Sequence, residues 1–217
     1  MTTAETWDRI HTERSAMADT WEALTPEQWA TASGCDGWSV RTTAGHILAA
    51  AEQTFPRFYR EFIRAGFRFD VFADRAARRL AEVPTDQMVR RLRARTTTTN
   101  HPPAPVVVML GEIVVHGEDI RRPLGITRDV PADTLVAVAD NYVRTNVLLG
   151  AKRRVAGLGL RATDVGWTHG QGPEVAGPLL SMILAMSGRT DALRDLTGAG
   201  VAEMTGRCPA REGSVDR

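Results

Sequence analysis

Apolar residues recur with a helical period over most of the first half of the chain. Trp7, Ile10, Met17, Trp21 and Leu24 share one face of a helix expected from Glu5 to Leu24. Thr25-Pro26-Glu27-Gln28 reads as the next helix start, with Thr25 as N-cap, Pro26 in the first turn and Gln28 closing a capping box. Ser33 to Gly37 is loop chemistry. A long helix capped by Ser39 is then expected to run through His46 toward Arg64, with a kink at Pro56. A turn over Gly66 to Asp70 precedes helices from Val71 to Glu82 and from Gln87 to Thr97, separated at Pro84. After the break at Asn100-His101-Pro102-Pro103, an apolar helix is expected from Ala104 to Arg121, ended by Pro123.

The pattern changes at Asp129-Val130-Pro131. A helix from Ala132 to Leu149 carries a stripe of Leu135, Val138, Ala139, Tyr142, Val143 and Val147. The Gly-rich stretch from Gly157 to Val175, with alternating Leu158, Leu160 and Ala162, reads as short strands in a hairpin or meander. Helices follow from Pro178 to Ser187 and near Val201 to Thr205. The expected class is α+β, with a helical domain over residues 1–128 and a small α/β domain over residues 129–217.

The densest candidate chemistry lies in the run GEIVVHGEDIRRP. Glu112 and His116 are one helical turn apart on one face, and Asp119 follows on the same face. A carboxylate and an imidazole so placed can share a divalent ion, and His46, on a different helix, is the best third ligand. Two histidines and one carboxylate leave coordination positions open, as a catalytic metal requires. Such pairs also occur by chance on solvated helices. Here, however, the run is apolar (Val106, Val107, Val108, Met109, Leu110, Ile113, Val114, Val115), and a buried carboxylate needs a partner, a metal or an arginine.

Other residues read more plainly. Nothing near Cys35 in the sequence supplies a base, so it reads as a loop thiol, and Trp38 as a packing residue. His11 and His101 read as surface positions, and His169 as a strand or turn residue of the small domain. Two cysteines, Cys35 and Cys208, argue against a disulfide scaffold. A net charge of +1 gives no electrostatic case for nucleic acid or an acidic membrane. The arginine clusters read as solvated helix faces. No apolar stretch approaches the ~18 residues of a membrane span, and the N-terminus lacks a signal core, so a cytoplasmic monomer or homodimer is expected. Lys152 is the only lysine, the imprint of a GC-rich genome of the actinobacterial kind.

Trp29, Cys35-Asp36-Gly37-Trp38-Ser39-Val40 and His46 together resemble the N-terminal motif of the mycothiol-dependent maleylpyruvate isomerase family. The run Glu112-Ile-Val-Val-His116-Gly-Glu-Asp119-Ile-Arg-Arg-Pro123 resembles that family's metal-binding helix, and residues from Leu160 to Val201 its small C-terminal domain. The resemblance implies a DinB-like four-helix bundle followed by a sterol-carrier-like α/β domain. It implies zinc on His46, Glu112 and His116, with mycothiol as the low-molecular-weight thiol and a small electrophile as substrate. Asp119 matches the family's nearby acidic position, and Arg207 is the nearest match to a C-terminal arginine implicated in the isomerase members. Arg121 and Arg122 could clamp a carboxylate of thiol or substrate, or simply complement the end of their helix. The implied chemistry is metal activation of a thiolate. In isomerase members the thiolate adds to a conjugated double bond, the resulting single bond rotates, and elimination follows; S-transferase members keep the thioether. A zinc hydrolase such as a thiol-conjugate amidase, non-haem iron chemistry and a non-catalytic binding protein are the alternatives.

Overall fold

The computed structural model describes residues 1–146 and 149–208. The chain divides into two compact units, Met1–Arg128 and Asp129–Arg217.

The first unit is helical. α1 (Thr3–Glu22) and α2 (Pro26–Ala30) both begin at capping boxes, on Thr2 with Glu5 and on Thr25 with Gln28. α3 (Val40–Ala51) starts at Ser39, whose hydroxyl accepts from the Thr42 N–H. The long helix expected to run on to Arg64 is instead two. α3 stops at Ala51, and α4 (Phe55–Arg64) restarts after an extended Thr54, with Pro56 in its first turn. The reason is steric: in a continuous helix the Pro56 ring would clash with the carbonyl of Glu52. α5 (Phe69–Ala81), α6 (Thr85–Arg93) and α7 (Val106–Arg121) follow, and a short 3₁₀ turn over Arg122–Leu124 carries Pro123.

α3 packs against α5, α6 and α7, and α1 against α6 and α7. Ile10, Met17, Trp21, Leu48, Met88, Leu92, Leu110 and Ile120 fill the space between these helices and are fully buried. Each such side chain contributes about 1.5–3 kcal/mol of transfer free energy. The approach of α3 to α5 is close because Gly45 lacks a side chain; a Cβ there would lie 2.3 Å from the Ala77 carbonyl oxygen.

The second unit joins helices to a small sheet. α8 (Ala132–Tyr142) ends earlier than the periodicity predicts, and Val147 lies outside the described residues. α9 (Ala151–Arg154) leads to β1 (Gly159–Ala162), β2 (Thr168–His169) and β3 (Glu174–Gly177), in the order β2-β1-β3. β1 and β2 form the expected hairpin, with Leu160 opposite His169. The meander ends there, because β3 pairs parallel to β1, with Leu160 opposite Val175. α10 (Leu179–Met186), a 3₁₀ segment (Thr190–Asp195) and α11 (Val201–Gly206) complete the unit.

Candidate metal centre

α3 and α7 face one another, and each contributes from its middle. His46 Nε2 lies 3.0 Å from Glu112 Oε2, and His116 Nε2 lies 3.4 Å from the same oxygen. One ligand atom from each of the three residues lies within 4.8 Å of the others. A tetrahedral ion with bonds of roughly 2.0–2.1 Å separates its ligand atoms by about 3.4 Å, so these donors fit a zinc-sized ion with little movement. The imidazoles meet edge to face at 4.6 Å between centroids. All three side chains keep some solvent exposure, because they line a small cleft open to solvent, with Arg14, Ile47, Ala50, Ala51, Met109 and Ile113.

The other nitrogen of His116 is engaged on the far side of the ring. Its Nδ1 is 2.9 Å from Asp119 Oδ2, and Asp119 is buried. The Cys35 thiol donates to the same oxygen at 3.0 Å, and its Sγ lies 3.4 Å from His116 Nδ1. The Gly34 N–H donates to the Asp119 carbonyl at 2.8 Å, which ties the Cys35 loop to α7. A Cβ on Gly34 would meet Asp119 Oδ1 at 2.7 Å, so the loop can sit this close only as glycine.

The sequence reading of Cys35 as a thiol without a base nearby is therefore corrected. The base and carboxylate beside it come from residues 81 and 84 positions later in the chain, and no local pattern signals them. Trp38 also does more than fill space. Its indole N–H donates to Asp74 at 3.0 Å, and its ring stands 5.4 Å from that of His46.

Burial alone would raise the pKa of Glu112, but hydrogen bonds and charge from His116 and His46 outweigh it and hold the carboxyl well below its ordinary range. Burial alone would lower His116, but its bonds to Asp119, Cys35 and Glu112 prevail and hold it well above the ordinary histidine value. An ion on the Nε2 side would replace that proton while Asp119 kept the Nδ1 proton in place.

Cys35, His116 and Asp119 form a second group with metal-ligand spacing. This group satisfies itself through internal hydrogen bonds, whereas the His46, Glu112 and His116 donors open on the cleft. The arrangement favours the ion on the Nε2 side.

The expectation that Arg121 clamps a carboxylate of thiol or substrate is corrected. Arg121 is fully buried, and its Nη1 donates to Glu118 at 2.7 Å with Glu13 also near, so it cannot meet a ligand. Arg122 turns to the same Glu118 at 3.7 Å. Arg207 belongs to the second unit, where it ion-pairs with Glu203 and donates to the carbonyls of Arg154 and Ala156. His11 and His101 are not free surface groups; both are half-buried beside Trp7, the His11 ring stacked on the indole and the His101 ring tilted against it at 5.6 Å. His169 is exposed in β2.

Residues 10–67 match the family model for the mycothiol maleylpyruvate isomerase N-terminal domain. No curated protein matches the sequence significantly. Two solved structures share the fold, a crystal structure of the mycothiol-dependent maleylpyruvate isomerase and one of a histidine-to-alanine variant of it. They are 12% and 13% identical to this chain, with a TM-score of 0.63, and the match covers 92% of this chain and 93% of theirs.

Proposed function

We propose that this chain, whose residues 10–67 match the mycothiol maleylpyruvate isomerase N-terminal domain, is a metal-dependent enzyme that uses a low-molecular-weight thiol. His46, Glu112 and His116 hold the ion, with zinc the first candidate and mycothiol the thiol. The reaction class is isomerisation of, or S-transfer to, a small electrophile, in the cytoplasm. The observation that carries this reading is the convergence of three ligand atoms, from two helices, on the wall of an open cleft. The fold shared with the isomerase supports it, as it supports a DinB-like bundle with a sterol-carrier-like second domain.

A bound zinc ion in such a site supplies Lewis acidity that converts a thiol to its thiolate at neutral pH. The chain's own residues do the rest. Asp119 accepts a hydrogen bond from the Nδ1–H of His116 and so presents Nε2 to the cleft. Glu112 sits between the two imidazoles and supplies the anionic ligand. Ile47, Ala50, Ala51, Met109 and Ile113 give the cleft apolar walls that limit water around a reacting thiolate. Trp38, tied to Asp74, backs the His46 ring.

Elemental analysis of the purified protein tests the site. Stoichiometric zinc, lost in His46→Ala, Glu112→Ala and His116→Ala, is the expected result. Zinc retained in all three variants overturns the assignment. Turnover of a maleyl-type electrophile that depends on added mycothiol then tests the reaction.

A further inference from the structure

One charged group on the wall of this cleft is left over by the metal chemistry. Arg14, in the middle of α1, is 3% exposed and lines the cleft together with His46, Glu112 and His116. Its Nη1 donates to two backbone carbonyls, Arg95 at 3.1 Å and Thr98 at 2.9 Å. Among the described residues no carboxylate comes within ion-pair distance of it. Arg121, the other buried arginine of this unit among the described residues, is treated differently: it meets Glu118. Glu112, the carboxylate on the same cleft wall, is engaged with the two imidazoles instead.

Carbonyl oxygens orient a guanidinium but do not neutralise it. A buried cation without a counter-charge is costly, so an anion that reaches it is held strongly. Burial, with Arg95 nearby adding like charge, lowers the Arg14 pKa to about 10, so the group stays cationic at neutral pH. The Trp7 ring lies 5.8 Å from its guanidinium carbon and helps hold it in place. Nη1 is spent on the carbonyls, which leaves Nε and Nη2 as donors without a protein acceptor among the described residues. Two adjacent N–H groups form the fork that receives a carboxylate.

We infer that Arg14 is the anion anchor of the cleft, a binding residue that takes the carboxylate of the small molecule while its reactive end faces the His46, Glu112 and His116 pole. The inference rests on the proposed function only for what happens at the metal pole; the anion subsite stands on the unneutralised guanidinium. It narrows the substrate class to carboxylate-bearing electrophiles.

The test uses maleate as probe, in the absence of thiol, followed through the indole N–H resonance of Trp7 assigned with Trp7→Phe. Wild-type protein is expected to bind maleate, with the Trp7 signal moving, and to bind the uncharged diamide of maleate at least roughly tenfold more weakly. Arg14→Gln is expected to weaken maleate binding by a similar factor while leaving zinc content unchanged; Arg14→Lys should recover part of it. His46→Ala should lose zinc and still bind maleate. If the diamide binds wild-type protein as well as maleate does, or maleate fails to bind, the anion anchor is wrong whatever the variants do. Maleate binding lost in His46→Ala and kept in a folded Arg14→Gln puts the carboxylate on the metal and overturns the assignment to Arg14. Zinc retained in His46→Ala alongside Arg14-dependent maleate binding overturns the metal triad and leaves the anchor standing.

Discussion

Glu112 Oε2 is shared by two imidazoles, at 3.0 Å from His46 and 3.4 Å from His116, and that sharing makes the metal-free protein sensitive to pH in both directions. Glu112 has a depressed pKa in the fold, so its contribution to stability is present above 4.5 and lost as pH falls through the folded value. His116 has a raised pKa, so its contribution is complete below 6.5 and lost as pH rises through the folded value. Thermal melts of chelator-treated protein stepped upward from pH 6.5 are expected to show falling stability. The zinc-loaded protein should not, because the ligating imidazole is already neutral. Asp119 acts one atom further out. Asp119→Asn is expected to weaken zinc affinity about 10–100-fold in a competition titration with a chelator, with full occupancy recovered at saturating zinc. Cys35→Ser is expected to leave zinc content intact; its loss would move the ion to the Nδ1 side of His116.

At the scale of the element, caps and breaks follow from local chemistry. Thr2 with Glu5, Thr25 with Gln28, and Ser39 each start a helix where the residue types predict one. Replacing Thr25 by Ala should cost about 1 kcal/mol in denaturant unfolding. Pro56 shows the limit of the same reasoning. It is legible as a disturbance, but whether a proline kinks a helix or divides it depends on what the flanking segments pack against. Here α3 lies across α5, α6 and α7, and α4 packs on α5 through Phe58, Phe62 and Phe72. Gly45 is the element-scale counterpart. The helical period places it on α3, but nothing local says that the backbone of α5 passes against it. Gly45→Ala should push α3 from α5 and destabilise the unit by about 1–3 kcal/mol, unlike the usual gain of alanine over glycine in a helix. The melting temperature of the purified variant reads the sign.

At the scale of the whole molecule, the proposed metal ligands, the cleft and Arg14 all belong to Met1–Arg128, one of two compact units. A protein ending at Arg128 is therefore expected to unfold cooperatively and to retain zinc on His46, Glu112 and His116. Loss of zinc by a folded fragment would show that the second unit takes part in binding the ion.

Helical periodicity, capping residues and the one-turn spacing of Glu112 and His116 are properties of the chain itself, because each depends on residues a few positions apart. The change in character near Asp129 is legible for the same reason. Residue type and the resemblance point to His46 as the third partner; its distance from Glu112 comes from the packing of α3 on α7. What no local pattern carried was the surroundings of that site. Cys35 reaches Asp119, Trp38 reaches Asp74, Arg121 is consumed by Glu118 and Glu13, and β3 pairs parallel to β1. Arg14, unremarkable as one arginine among many in an amphipathic helix, lines the cleft that also holds His46, Glu112 and His116. A side chain's chemistry is written in the sequence, but whether it is neutralised, buried or aimed at a ligand depends on neighbours that only the folded chain supplies.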